Sequence, residues 1–189
     1  MTASERPVWH LVNWMRKLLP HCPEAISQLE ASVTEDPERI DNSYTELFSG
    51  YNVDPATILK PTAIIESGSY PGTVSSWDIP FLSFCAHHFA PFFGTVDVHY
   101  VPNKIIIGIG KIPRLVRCRA NRFQLQEYLV RDIANDLFNY ADADAVEVVA
   151  HARHVCVCYR GPNVPTVSQS TVYRLGNADK IIIVPRTPS

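Results

Sequence analysis

The chain has 189 residues, 46% of them hydrophobic, which suits one cored domain with an appendage. Its formal net charge of -2, from 17 Lys and Arg against 19 Asp and Glu, offers no broad cationic surface for nucleic acid. No apolar run approaches the ~18 residues of a membrane span, and the polar start, residues 1–7, lacks the basic-then-apolar order of a signal peptide.

Residues 8–19 read as a helix, with Val8, Leu11, Val12, Met15 and Leu18 at helical spacing and Pro20 as the stop. A second helix is predicted over residues 37–48. Asp36 can cap it, Pro37 suits its first turn, and Ile40, Tyr44, Leu47 and Phe48 share a face. Residues 52–68 are mixed and marked by prolines. Strand texture begins at Thr73, with residues 77–88 as the first candidate strand. Residues 94–101 alternate, turn at Pro102-Asn103 and return as residues 104–109, the pattern of a hairpin. Two helices follow, residues 112–119 and 124–140, the second with Leu125, Tyr128, Leu129, Ile133 and Leu137 on one face. Residues 146–152 and 154–159 read as a further strand pair. In the tail, residues 168–186, the run 180–184 is strand-like. The order strand, strand, helix, helix, strand, strand predicts an α+β layer, antiparallel strands with helices on one side.

The chemistry concentrates in two short segments. Cys85-Ala86-His87-His88 is answered later by His154-Val155-Cys156. Singly, these residues read as ordinary buried cysteines and half-buried histidines. Two such clusters on neighbouring strands point instead to zinc, which thiolate and neutral imidazole bind well. Alternation along a strand would turn His154 and Cys156 to one face. Three ligands, an open position for water and a spare imidazole make the arrangement of a catalytic zinc. Cys158 would share that face, as an alternative ligand or as core. Cys22 and Cys118 have no partner in the sequence, and His99 and His151 sit in strand patterns where packing or exposure is expected. Five cysteines, odd in number and unevenly spaced, argue against a secreted disulfide framework and for a reducing, cytoplasmic compartment. Lys111 and Arg114 open a helix, whose N-terminus attracts anions, and Arg160 follows the second cluster. Taken one at a time they are solvated charges. Glu127 is a first-turn acid of the kind the helix dipole favours.

Taken together, the segments resemble the GTP cyclohydrolase I family. The resemblance is carried by Cys85-Ala86-His87-His88-Phe89, Tyr100-Val101-Pro102-Asn103-Lys104, Gly108-Ile109-Gly110-Lys111-Ile112-Pro113-Arg114, Gln124-Leu125-Gln126-Glu127 and His154-Val155-Cys156 with Arg160-Gly161, in the family's order. It spans residues 37–170, with Leu47-Phe48-Ser49-Gly50-Tyr51 also fitting. It implies the tunnelling fold, two helices packed on a four-stranded antiparallel sheet, as a catalytic domain of residues 52–189 behind an N-terminal helical region of residues 1–51. It also implies Zn2+ held by Cys85, His88 and Cys156, with His87 and His154 as proton carriers. Gln126 and Glu127 would read guanine, and Lys111, Arg114, Arg160 and Arg39 would hold a triphosphate. The implied reaction opens the imidazole ring of GTP, releases C8 as formate and proceeds to 7,8-dihydroneopterin triphosphate. The implied assembly is a homo-oligomer of pentameric rings stacked as a decamer, with residues 39–51 serving a neighbour's site.

The chain departs from the family pattern at several positions. Ala86 replaces a glutamate, and Gly110 replaces a serine associated with the ribose and phosphate end. Asn42 stands where a lysine is expected one turn after Arg39. Gly161-Pro162-Asn163-Val164-Pro165 replaces a Ser/Thr-rich segment, and the strand-like residues 180–184 replace a C-terminal helix. The metal and purine groups are intact while the sugar end is altered. Two other readings follow: an enzyme that stops at the ring-opened pyrimidine nucleotide or takes another purine nucleotide, and a catalytically silent zinc-containing assembly or regulatory protein. His87 and His154 speak against the last, because a scaffold needs no free imidazoles beside its metal.

Overall fold

The computed structural model describes residues 6–65 and 72–184. The first five residues, the end of the proline-marked segment and the end of the tail lie outside the described residues. The chain divides into two compact units, Met1–Phe48 and Ser49–Ser189.

The first unit contains helices α1 (Pro7–Leu18), α2 (Pro23–Glu35) and α3 (Glu38–Leu47). α1 and α2 each open on a proline, whose missing N–H would have had no helical partner there. Val8, Val12 and Val33 form the core of this unit, flanked by Trp9, Leu29 and Ile40. Asp36 Oδ1 accepts from the N–H groups of Glu38 and Arg39, each at 3.2 Å, as the sequence led us to expect. α2 has no counterpart in the sequence-based prediction, although Ile26, Leu29 and Val33 carry a helical period.

The second unit begins with a 3-10 turn, Ser49–Asn52, and a short helix α4 (Pro55–Ile58). There follow β1 (Ala63–Ile64), β2 (Val74–Cys85), β3 (Ala90–Pro102), β4 (Ile105–Ile106), α5 (Lys111–Ala120), β5 (Phe123–Gln124), α6 (Gln126–Tyr140), β6 (Ala143–His154), α7 (Val155–Cys158) and β7 (Gln169–Gly176). The main sheet runs β5-β2-β3-β6-β7. β2, β3, β6 and β7 are antiparallel neighbours, and β5 adds two parallel residues at the end of β2. The fold is therefore α+β, two helices on a four-stranded antiparallel sheet with a short fifth edge: the tunnelling-fold arrangement. Period-two residues Val96, Val98 and Tyr100 of β3 and Val146, Val148 and Ala150 of β6 join Ile112 and Leu115 of α5 and Leu129, Ile133 and Leu137 of α6 in one core. At Gly94 a Cβ would lie 1.9 Å from the His151 carbonyl oxygen, so only glycine lets β3 and β6 run this close.

Three predicted elements differ. Residues 104–109 do not return beside β3, because β2 and β6 already occupy both of its edges. Instead β4 pairs with β1, and Thr62 N–H and Ile65 N–H donate to Ile106 and Lys104. Residues 155–158 form a helical turn and not a strand. His154 lies opposite Phe92, and the next position on β3 is Pro91, which has no N–H to pair. The last strand is β7 and not residues 180–184: Ala178–Lys180 is a 3-10 turn, and Ile182 N–H donates to Thr73 Oγ1 at 2.9 Å.

Candidate active site and metal centre

Cys85 ends β2, where β5 fixes it. Phe84 N–H donates to Arg122 and Ala86 N–H to Gln124, both at 3.2 Å. The chain then reverses within four residues, with Phe89 N–H returning to the Cys85 carbonyl at 3.0 Å. Phe89 closes this turn at φ 54, a rare conformation for a bulky residue, and its ring stacks on Phe123 at 4.7 Å. The reversal leaves Cys85 Sγ 3.9 Å from Nδ1 of both His87 and His88. From the other side of the site, α7 brings in Cys156. One ligand atom each from Cys85, His88 and Cys156 lies within 4.8 Å of the others. Tetrahedral zinc, with Zn–S about 2.3 Å and Zn–N about 2.0–2.1 Å, spaces such atoms by roughly 3.5–3.8 Å, so this donor set fits with a small closure. Burial pushes the Cys156 thiol up, the neighbouring Cys85 adds to the rise, and Arg160 opposes it. A cation held there would displace the Cys156 thiol proton.

These residues line a cavity of about 560 Å³ together with His87, Gln126, Glu127 and His154, and β7 supplies a further wall at Gln169 to Thr171. Gln126, at the start of α6, is 3% exposed. Its Nε2 donates to the carbonyls of Ala150 and Gln169, both at 3.1 Å, so the amide can point only one way. Gln126 Oε1 then lies 2.9 Å from His154 Nε2. An oxygen acceptor at that distance fixes the hydrogen on Nε2 and leaves Nδ1 as the nitrogen able to take a proton. The imidazole also stacks on Phe92, 4.5 Å away and nearly parallel. Burial lowers the His154 pKa from its ordinary value, opposed by the Glu127 carboxylate.

Of the residues singled out from the sequence, Cys85, His87, His88, Gln126, Glu127, His154 and Cys156 meet in this one cavity. Arg160 is exposed just beyond α7, with its charge felt at Cys156. Lys111 and Arg114 do not line this cavity. Lys111 Nζ donates to the Lys60 carbonyl, and Arg114 borders a separate cleft of about 160 Å³ that also includes Gly50 and Cys118. Arg39 lies on α3 of the first unit, facing Asp36 at 3.4 Å and Glu35 at 4.0 Å. Cys158 stays out of the ligand cluster, its Sγ turned to the Val167 carbonyl at 3.6 Å. Cys22 is exposed and Cys118 buried, and both are free thiols. Tyr128, expected on the buried face of α6, is 47% exposed and lines the cavity, one position off the Leu129–Ile133–Leu137 stripe. The Gln169 carbonyl, which orients Gln126, carries no side-chain signal and could not be found from the sequence.

Residues 14–181 match the family model described as GTP cyclohydrolase I. The chain belongs to the GTP cyclohydrolase I family. Among its relatives, GTP cyclohydrolase 1 of Janthinobacterium sp. (strain Marseille) is 39% identical over 87% of this chain and 81% of its own length. The Fusobacterium nucleatum GTP cyclohydrolase 1 is 39% identical over 73% of each chain. That of Campylobacter jejuni subsp. doylei is 46% identical over 66% of this chain and 65% of its own. Among the described residues no helix is long and apolar enough to cross a membrane.

Proposed function

We propose that this member of the family is a zinc-dependent enzyme that opens the imidazole ring of GTP and releases C8 as formate. The observation that carries the reading is the single cavity shared by a Cys–His–Cys group, an imidazole of fixed tautomer and a carboxylate. Cys85, His88 and Cys156 would hold Zn2+. When bound, zinc would supply Lewis acidity and a water activated near neutral pH. Glu127 would accept from the ring N–H and exocyclic amine of guanine and so fix the base. Gln126 would act beside it as a positioning residue, its amide engaged with His154 and two backbone carbonyls. Adding water at C8 takes one proton from the water and delivers one to N7. His154 through Nδ1 and the exposed His87 would carry these protons. Arg160 would meet the triphosphate from the same chain, with Lys111, Arg114 and Arg39 supplied by another copy.

The assembly would be pentameric rings stacked as a decamer. Supporting this, among the described residues β7 pairs only with β6, and β2 has a second neighbour only at Phe84 and Cys85, which leaves sheet edges that a second copy can cover. Five free cysteines fit a reducing cytoplasm. Incubation of zinc-loaded protein with GTP tests the proposal: formate and a product of matching mass are expected, and intact GTP beside fully zinc-loaded protein would refute it.

A second reading keeps ring opening but stops at the ring-opened pyrimidine nucleotide. Gly110 caps α5 at φ -66 and ψ -11, and a Cβ there would meet no atom within 4 Å. Neither backbone nor space demands glycine, so what is missing is a hydroxyl. One hydrogen bond to a charged group contributes about 1.5–3 kcal/mol, so losing it in a transition state slows that step about tenfold to a hundredfold. Fluorescent neopterin forming after oxidation at the rate of GTP loss would eliminate this reading.

A further inference from the structure

We infer that Tyr128 is a wall of the substrate site that stacks on the purine base. The inference rests on the purine-nucleotide reading above. At the start of α6, Gln126, Leu129, Val130 and Ile133 face inward, which turns Tyr128 away from the core. It nevertheless borders the same cavity as Glu127 and His154. Half-exposed tyrosines are common and need no explanation by themselves. This one is held. The guanidinium carbon of Arg131, one turn further along, sits 4.3 Å from the ring centroid, and Arg131 is in turn paired with Asp132 at 2.8 Å. One face of the ring is thus covered by a delocalised cation, while the residue lines the cavity. A cation on one face also draws electron density from the other, which suits an electron-rich purine.

The neighbouring side chains would then divide the work. Glu127 distinguishes guanine by its hydrogen-bonding edge. Tyr128 contributes affinity for any purine, because stacking reads a π-face and tolerates changes at the edge. Its hydroxyl is dispensable in this role.

Steady-state kinetics on the zinc-loaded protein test the division, with Tyr128→Ala and Tyr128→Phe compared by formate release. Tyr128→Ala should raise KM for GTP about tenfold to a hundredfold, in line with base–aromatic stacking. Its kcat should stay within about twofold, and Tyr128→Phe should stay close to wild type. Inorganic tripolyphosphate, as a competitive inhibitor, should bind both variants as it binds wild type. Inosine triphosphate should be weakened by Tyr128→Ala as much as GTP is. An unchanged KM in Tyr128→Ala, or a Tyr128→Phe variant as impaired as Tyr128→Ala, would overturn the inference. So would a parallel loss of tripolyphosphate affinity, which marks general damage to the site. Wild-type protein that neither binds nor consumes GTP would instead bring down the purine-nucleotide reading, and this inference with it.

Discussion

The groups that would meet the base and those that would meet the phosphates are built differently. The Cys85, His88 and Cys156 group, His87, His154, Gln126 and Glu127 converge on one cavity of one chain, held by a tight turn, a two-residue strand and a buried amide. Lys111 and Arg114 do not line that cavity; Lys111 is occupied on a backbone carbonyl, and Arg39, within the first unit, on carboxylates. On the proposed reading, ring chemistry would be local to a subunit, whereas grip on the nucleotide's tail would depend on assembly. Gly110 falls beside Lys111, outside the cavity.

The sharpest way to break this comparison is Cys156→Ala. It should abolish zinc binding, read by metal analysis, and lower formate release at least about a thousandfold, whereas Cys158→Ala should keep its zinc. Zinc retained in the first variant and lost in the second would show that the wrong cysteine has been assigned. His154→Asn should keep its zinc yet lose roughly a hundredfold to ten-thousandfold in kcat, the usual range for a proton carrier.

Mixing tests whether the cavity and the cations belong to different copies. Lys111→Ala and His154→Asn, each nearly inactive alone, should regain activity when unfolded and refolded together. A site drawing one residue from each of two chains is intact in about a quarter of random pairings. No recovery in mixed assemblies would place Lys111 and His154 in one chain's site and end the comparison. A monomer by light scattering would end it sooner.

Smaller effects concern stability. His99 is 1% exposed on the sheet face away from the helices, with Nδ1 2.9 Å from Ser75 Oγ and its ring against the edge of Trp77. Burial lowers its pKa, opposed by Glu147, itself paired with Arg174, and by Asp97. The unfolded chain therefore binds a proton near the ordinary histidine value of about 6.5 that the folded chain refuses. This contribution to stability is present above that pH and declines as pH falls through it. Denaturant titrations from pH 7.5 to 5 should show the decline, and His99→Gln should flatten it. Least of all, Gly110→Ser should change stability by only a few tenths of a kcal/mol, as expected for exchange at an N-cap.

Much of this was legible in the sequence, for identifiable reasons. The helices α5 and α6 and the strands β2, β3 and β6 announce themselves by period, since their buried faces are continuous. The cysteines and histidines of the cavity were found because those side chains are chemically distinctive, whereas Gln126 and Glu127 came only through the family resemblance. The route that joins them was not found. His154 and Cys156 were expected to share a strand face, and they converge instead through a helical turn set by Pro91 across the sheet. The residues of β4 read as a hairpin arm because a local turn can be seen in the sequence, while the prior claim of β6 on that edge comes from more than forty residues away. β7 was hidden by polar residues on its open face, and residues 180–184 drew attention by apolarity alone.

The double fixation of His154, by the Phe92 ring and the Gln126 amide, has a thermodynamic meaning. An imidazole on a surface samples several rotamers, and selecting one of them at every turnover would add an entropic part to the barrier, on the order of 1 kcal/mol. If His154 carries a proton as proposed, that ordering would be settled once, during folding, because both partners are themselves part of the packed sheet and helix. Aim is then a property of the core and not of a loop, and heat can blur it only by loosening the core itself.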